Sequence, residues 1–567
     1  MFDARKYRPS PVPSFSQRSW PQRTLTRPPI WCSVDLRDGN QALVEPMGQE
    51  RKLRFFQKLV AVGFKEIEVG FPAASQTDFD FVRLLIEEGH IPGDVTIQVL
   101  TQAREALIQR TVAALLGARR AIVHLYNSTN PVQRKVVFGK SRADVRALAV
   151  DGTHWVRQAA ATLPGTEVVL QYSPESFSAT ELDFAVEVVD AVVEAWNPDP
   201  QHKMIVNLPA TVEIATPNVY ADQIEWMATH IARPDHVVLS VHTHNDRGCA
   251  VAAAELAMLA GAERVEGTLF GNGERTGNAD VVTLALNLYS QGVAPGLDFS
   301  DLPALVEVFE SCNQMPVPAR QPYAGALVFT AFSGSHQDAI AKGLAARARE
   351  GSPYWEVPYL PIDSSDVGRA FESLIRINSQ SGKSGVSFVL EQGRGYRVPK
   401  ALAIELGRAV QQVTDGSGKE LPPSEVIALF ERTYLLPHGR MTLLDYEVQH
   451  PAPDRCHVRA RLRVGDGEVS IDGQGKGAID AFVHAVEAHL ATTLTVVDYS
   501  EHALGVGADA EAVAYVKLEG NGCPSAFGVG RDRDIVVASL RAVVQAVNRL
   551  DPTSAPKVSP APAKTAP

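Results

Sequence analysis

Residues 236–246, HVVLSVHTHND, hold a β-branched apolar run that ends in two histidines two positions apart. Residues i and i+2 of a strand point to the same face, so His242 and His244 can present both imidazoles to one metal ion. Seven more runs of this kind stand along the chain: WCSVDL (31–36), EIEVG (66–70), TIQVL (96–100), RAIVHLY (120–126), EVVLQY (167–172), MIVNL (204–208) and RVEGTLF (264–270). Their spacing, mostly about 25 to 45 residues, leaves room for one strand, one helix and two loops each. Eight parallel strands alternating with helices imply an α/β fold, a closed (β/α)8 TIM barrel, with an open doubly wound sheet as the alternative. The polar residues favour the barrel. The runs end in Arg37 and Asp38, Glu68, His124, Ser173 and Glu175, Asn207 and Thr211, His242 and His244, and Asn272 to Asn278. Convergence of so many strand ends on one point is natural in a barrel, whose reactive groups gather at its C-terminal face.

The rest of the chain frames this region. At 567 residues with 45% hydrophobic content, two or three domains are expected. The net charge of −11 argues against general affinity for nucleic acid or anionic membranes, while leaving room for a local basic pocket for a phosphorylated cofactor. Five cysteines, widely separated and without a C-x-x-C pair, read as reduced thiols of a cytosolic protein. No apolar run approaches the roughly 20 residues of a membrane span, and MFDARKYRPSPVPS lacks a signal-peptide core, so a cytoplasmic location is expected. Residues 1–28 and 551–567 are rich in Pro, Arg, Ser and Ala and read as flexible ends around a catalytic barrel at 29–318. Residues 319–435 turn helical, broken by Pro- and Gly-rich pieces, and read as linker and helical subdomains. From 436 to 550 the order strand, strand, strand, helix occurs twice, with helix centres near Val483 and Arg541 about 58 residues apart. A separate α+β domain of two duplicated βββα units is expected there.

Two further motifs bring chemistry to the barrel mouth. DLRDGNQ supplies Asp38, a hard oxygen ligand, beside Arg37, a fixed cation suited to a carboxylate or a developing oxyanion. GNGERTGN brings backbone amides and Asn278 to the same place, with Glu274 as a partner behind the ligands. Taken singly, an Arg–Asp pair also caps helices, and turns need glycine for positive φ. One carboxylate, two imidazoles and an amide oxygen leave open positions on a divalent ion, an arrangement that suits chelation of a 2-oxoacid.

These residues also carry a family resemblance. DLRDGNQ, EVGFPAASQTDFD, VHLYNSTN, QYSPESFS, NLPATVE, VHTHNDRGCA and LFGNGERTGNAD, followed by SGSHQDAI, VPYLPID and NSQSGKSG, resemble the longer type of 2-isopropylmalate synthases from about Trp31 to Asn548. The resemblance implies a metal site of Asp38, His242, His244 and Asn278, filled by a divalent ion, Mg²⁺ foremost with Mn²⁺ or Zn²⁺ as alternatives, and K⁺ as an activator. It places Arg37, His124, Ser173 and Thr211 around a 2-oxoacid and makes Glu175 a catalytic carboxylate. His336 and Tyr359 match residues that reach the site from the partner subunit, which implies a homodimer. It also implies that acetyl-CoA and 2-oxoisovalerate are joined by a Claisen-type condensation, with Glu175 and His336 as candidates for the base. The C-terminal domain resembles a leucine-binding regulatory domain, whose effector pocket matches Gly477, Ile479, Val496, Tyr499 and Ala503; Asp480 departs from the small apolar residue of a related member. Homocitrate and citramalate synthases and hydroxymethylglutaryl-CoA lyase share the first-strand motif and the H-x-H pair. Lyases of this kind lack the duplicated C-terminal domain.

Overall fold

The computed structural model describes residues 12–13, 18–331, 333–369, 383–417, 421–436, 440–452, 454–505, 507, 509–520 and 523–550. The chain forms two compact units, residues 1–328 with 362–369, and residues 329–361 with 370–567. Of the sequence NSQSGKSG, residues 378–382 lie outside the described residues, as do most of the two chain ends read as flexible.

The first unit alternates strand and helix as the spacing predicts. Its strands are β1 (Ile30–Ser33), β2 (Glu66–Gly70), β3 (Thr96–Gln102), β4 (Arg120–Ser128), β5 (Glu167–Glu175), β6 (Met204–Ala210), β7 (Val237–Thr243) and β8 (Arg264–Gly267). The helices that follow them are α1 (Gln49–Val62), α2 (Gln76–Glu87), α3 (Glu105–Ala113), α4 (Arg142–Ala160), α5 (Leu182–Trp196), α6 (Pro217–His230), α7 (Ala250–Leu259) and α8 (Val281–Ser290). β1 pairs in parallel with β2 on one side and with β8 on the other, which closes the barrel and sets aside the open sheet.

Alternation along each strand explains what the barrel buries. Ile67 and Val69, Ile97 and Val99, and Val123 and Leu125 are wholly buried at alternate positions. The intervening residues, Glu68, Gln98, His124, Gln171, Arg264 and Glu266, bond to one another across the axis. The interior is therefore polar, and each buried charge has a partner, as burial demands. Helix ends are fixed locally: Ser141 and Asp144 form a reciprocal capping box on α4, and Gly63 ends α1 at φ 112°. Ahead of β1, Arg18 donates to both oxygens of Asp222 on α6 at 2.6 and 2.7 Å, and the backbone N–H groups of Ser19 and Trp20 donate to Glu225 at 3.0 Å.

In the second unit α10 (Gly334–Glu350) precedes α11 (Lys383–Arg394), α12 (Lys400–Ser417) and α13 (Pro423–Phe430), numbered after α9 (Leu302–Asn313) of the first unit. The duplication then appears as expected. β9 (Met441–Ala452), β10 (Arg455–Val464) and β11 (Gly467–Gly475) form an antiparallel sheet followed by α14 (Ala478–Leu490), and β12 (Leu494–Leu504), β13 (Glu511–Gly520) and β14 (Cys523–Asp532) repeat it with α15 (Ile535–Leu550). Both repeats share one apolar core, which includes Val458, Leu462, Phe482, Val516 and Val543. The other face of β13 and β14, with Val513, Tyr515, Phe527 and Val529, is covered by α11 to α13 through Leu390, Leu406 and Phe430. Among the described residues Cys32, Cys249, Cys312 and Cys456 are free thiols. Among the described residues no helix is long and apolar enough to cross a membrane.

Candidate functional site

The C-terminal ends of the barrel strands surround a cavity of about 220 Å³ lined by Arg37, Asp38, Gln41, Phe71, Leu100, His124, Tyr126, Ser173, Glu175, Asn207, Pro209, Thr211, His242, His244, Glu274 and Arg275. A larger hollow of about 400 Å³ lies at the opposite end of the barrel, between residues 23–30 and 258–263. Volume does not mark the chemistry; convergence of ligand-type groups does.

β1 runs into a single wide turn, Asp35–Gly39, in which the Val34 carbonyl accepts from the N–H groups of Asp38 (2.9 Å) and Gly39 (3.1 Å). Turns of this π type often occur at functional sites, and this one brings the side chains of Arg37 and Asp38 into the same cavity. Below it, the buried Asp35 carboxylate accepts from Ser33 Oγ (2.8 Å) and from Leu269 N (3.0 Å), which ties the turn to the loop after β8. Burial pushes the Asp35 carboxyl up to about 7, against the lowering effect of its hydrogen bonds.

Asp38, His242 and His244 are buried, and their potential ligand atoms all lie within 4.8 Å of one another. Asp38 Oδ2 stands 3.4 Å from His242 Nε2 and 3.7 Å from His244 Nε2, and the two Nε2 atoms are 3.3 Å apart. Asp38 Oδ2 has no hydrogen-bond partner, and neither has Asn278 Oδ1, although both atoms are buried. Asn278 pairs with His244 in an isolated bridge, and its Nδ2 donates to the Asn272 carbonyl at 3.0 Å. Buried acceptors left without donors are costly, so this set suits a cation supplied from outside the chain. Charges around the set are steeply polarised. Burial opposes ionisation of Asp38, but Arg37 and His242 outweigh it and hold the carboxyl well below the usual range. Burial also works against charge on His242, yet Asp38 and Glu266 raise it to about 9. His244, lowered by burial and by its neighbour His242, sits at about 4.

The glycines of GNGERTGN have steric reasons. A Cβ on Gly277, at φ +98°, would stand 1.9 Å from the Gly271 carbonyl oxygen. That carbonyl accepts from Asn278 N at 3.0 Å, so the close approach positions Asn278.

A chain of buried hydrogen bonds joins the two sides of the cavity. Arg37 donates to Asp38 Oδ1 (2.7 Å) and to Glu68 Oε2 (2.5 Å). Glu68 Oε1 lies 2.8 Å from His124 Nδ1, and His124 Nε2 lies 2.7 Å from Ser173 Oγ. Glu68 is held below the usual carboxylate range, Arg37 and His124 outweighing burial, so Nδ1 of His124 is the donor and Nε2 accepts from Ser173. Asn207 Nδ2 reaches Ser173 Oγ (3.0 Å) and Glu266 Oε2 (3.3 Å), and Glu266 Oε2 meets His242 Nδ1 at 2.9 Å. The chain thus begins and ends at the Asp38–His242 pair.

Glu175 ends β5 half-buried at the cavity wall, where its carboxylate accepts from Ser128 Oγ. The next residue, Ser176, has φ 58°, a strained conformation for a non-glycine residue, and its N–H donates to Thr211 Oγ1 at 2.9 Å. Arg275, also at positive φ, donates to Asp246 (2.7 Å) and to the Thr211 carbonyl (2.6 Å). Glu274 touches Gln41 (3.0 Å), and Gln41 also donates to Asp38 (3.2 Å). Of the residues singled out in the sequence, Arg37, Asp38, His124, Ser173, Glu175, Thr211, His242 and His244 therefore meet in one cavity. His336 and Tyr359 belong to the second unit, both exposed, with their rings 4.0 Å apart. Gly477 caps α14, Ile479 packs on the shared core, and Val496, Tyr499 and Ala503 lie on β12 with partly exposed side chains. Asp480 accepts from Lys476 N at 2.8 Å.

Sequence reading missed Gln98, Gln171, Arg264 and Glu266, which form the floor. Their signal was a polar residue at every second position inside an apolar run, as in EIEVG, TIQVL and RVEG.

Three family profiles match the chain: HMGL-like at residues 28–309, alpha-isopropylmalate synthase post-catalytic domain-like at 326–391, and the LeuA allosteric (dimerisation) domain at 420–551. The 2-isopropylmalate synthase of Ralstonia nicotianae is 57% identical over 548 residues, 96% of this chain and 95% of the relative. Those of Parafrankia sp. and Rhodospirillum rubrum are 56% and 54% identical, each over 96% of this chain and 97% and 99% of theirs. HMGL-like enzymes use a divalent metal, for which the buried Asp38, His242 and His244 are suited. The chain belongs to the 2-isopropylmalate synthase family, acyltransferases that join an HMGL-like barrel to a LeuA dimerisation domain.

Proposed function

We propose that this chain condenses acetyl-CoA with 2-oxoisovalerate to give 2-isopropylmalate and CoA, the committed step of leucine biosynthesis, in the cytoplasm. The observation that supports this reading is the buried Asp38–His242–His244 set, with partnerless acceptors on Asp38 and Asn278, opening into the same cavity as Arg37 and Glu175. Asp38, His242, His244 and Asn278 would hold the ion, Mg²⁺ in preference to Mn²⁺ or Zn²⁺, with K⁺ as an activator. Bound there, a divalent ion supplies Lewis acidity toward the keto and carboxylate oxygens of the oxoacid. Arg37, already fixed between Asp38 and Glu68, provides positive charge where the keto oxygen becomes an alkoxide. His124, Ser173 and Thr211 orient the oxoacid, and Leu100, Phe71 and Pro209 offer apolar wall to its branched end.

Glu175, paired with His336 of a second copy, takes a proton from the acetyl methyl group. The methyl carbon then bonds to the keto carbon, whose oxygen becomes the hydroxyl. Water cleaves the thioester, and CoA leaves as the thiol. Tyr359 of the same second copy would complete the site, so the working form is a homodimer. The barrel at 29–318, the linker at 319–435 and the regulatory domain at 436–550 are the functional divisions, and Gly477, Ile479, Val496, Tyr499 and Ala503 form the leucine pocket that carries feedback inhibition. The test is product identity: incubation with acetyl-CoA, 2-oxoisovalerate and Mg²⁺ should yield 2-isopropylmalate by mass spectrometry, in equal amount to free CoA. CoA release without that product would reject the reading.

A further inference from the structure

Glu266 carries no role in the proposed reaction, yet five side chains of the barrel floor converge on its carboxylate. Its Oε1 accepts from Arg264 Nη1 (2.8 Å), Gln98 Nε2 (3.1 Å) and Gln171 Nε2 (2.7 Å). Its Oε2 accepts from Asn207 Nδ2 (3.3 Å) and faces His242 Nδ1 at 2.9 Å. Donors from β3, β5, β6, β7 and β8 thus meet on one carboxylate that is 1% exposed. Arg264, itself wholly buried, also donates to Glu66 (2.5 Å), Ser240 (2.8 Å) and Gln98 (2.8 Å), so the floor cannot rotate as a unit without breaking several charged contacts.

The consequence falls on His242. An ionised carboxylate only accepts, so the proton between Glu266 and His242 sits on Nδ1, and once an ion displaces the other ring proton the lone pair is on Nε2. Nε2 is the atom that faces Asp38 Oδ2 and His244 Nε2. Nothing comparable acts on His244, whose buried Nδ1 has no hydrogen-bond partner. The two histidines are therefore unequal. One is locked in tautomer and ring angle by a rigid floor, and the other is set by the loop it stands on.

We infer that Glu266 is a positioning residue that fixes His242 with Nε2 toward the ion, and that it makes His242 the preorganised imidazole of the centre. This rests on the reading of Asp38, His242 and His244 as the metal site. Partners of this kind typically change metal affinity by about 10- to 100-fold when removed.

The experiment is Mn²⁺ titration of the full chain, by electron paramagnetic resonance of the free ion, for wild type, Glu266→Asp and His244→Ala. Glu266→Asp keeps the charge opposite Arg264 and withdraws the carboxylate from His242 by one methylene. It should weaken Mn²⁺ binding about 10- to 100-fold. His244→Ala should weaken it too; a His244→Ala protein that binds like wild type would remove the metal site itself. If His244→Ala weakens binding while folded Glu266→Asp binds as tightly as wild type, Glu266 has only a structural role and the inference fails. Should Glu266→Asp not fold, long-range ¹H–¹⁵N correlation of histidine-labelled, Zn²⁺-loaded wild type reads the tautomer directly. His242 protonated on Nδ1 is expected, and His242 protonated on Nε2 overturns the inference.

Discussion

Replacing Asp35 by Asn should make the barrel more tolerant of alkaline pH, by an amount that the structure sets. The carboxyl is buried beneath the turn that carries Arg37 and Asp38, accepts from Ser33 Oγ and Leu269 N, and has buried Asp280 as a further unfavourable charge. Its value rises from 3.8 to about 7. A folded-state value above the unfolded one means the group favours the fold fully only below 3.8, and the contribution is lost as pH rises through 7. The loss is about 2 kcal/mol at pH 5 and about 4 kcal/mol at pH 8, from 1.36 kcal/mol per unit of displaced titration. Asn keeps an oxygen for Leu269 N and a donor for Ser33, and it does not titrate. The stability difference, Asp35→Asn minus wild type, should therefore grow by roughly 2 to 3 kcal/mol between pH 5 and pH 8. Guanidinium unfolding followed by tryptophan fluorescence reports mainly on this unit, since Trp20, Trp31, Trp155, Trp196 and Trp226 lie in it and only Trp355 lies outside. Curves for the two proteins that stay parallel across this range would rule out a raised Asp35 carboxyl in the folded protein.

Other outcomes follow from the same geometry. Glu175→Ala should lose about 10²- to 10⁴-fold in kcat while still binding Mn²⁺ and 2-oxoisovalerate by calorimetry; unchanged turnover would remove Glu175 from the chemistry. Gly277→Ala forces a Cβ to within 1.9 Å of the Gly271 oxygen at φ +98°, so the loop that presents Asn278 must shift. Weaker Mn²⁺ binding is expected, and an unaltered titration curve would show that Asn278 is not a ligand. Dialysis against a chelator should abolish CoA release and added Mg²⁺ should restore it; full activity after chelation would reject a metal-dependent step. Leucine should give calorimetric heat and inhibit, and Tyr499→Ala should lose both, whereas silence of the wild-type protein in both assays would leave the C-terminal domain a dimerisation module alone.

Much of the fold was legible because barrel strands end where polar chemistry begins. His242 and His244 are readable as a pair because strand periodicity forces them onto one face, and Arg37 and Asp38 because they follow an apolar run directly. The wide turn at Asp35–Gly39 was not readable, since a π-type turn differs from an ordinary one by a single hydrogen-bond register that composition does not encode. Glu266 and Arg264 escaped for a different reason. Inside RVEG they look like ordinary surface charges, and only closure of the barrel turns alternate positions toward a shared axis where opposite charges neutralise each other. Arg18 to Trp20 looked like part of a polar tail because their partners, Asp222 and Glu225, lie some 200 residues away on α6. His336 and Tyr359 were readable only through the family motif; their rings stand 4.0 Å apart, and their place in the chemistry, from a second copy of the chain, is a proposal.

Substrate choice is measured most directly as kcat/KM for thiol release from acetyl-CoA across 2-oxoisovalerate, pyruvate and 2-oxoglutarate, in the presence of Mg²⁺. 2-Oxoisovalerate should lead pyruvate by about 10-fold or more, since each added methyl group on an apolar wall is worth roughly 1 kcal/mol or more in the transition state. Preference for pyruvate or 2-oxoglutarate would contradict the proposed reaction.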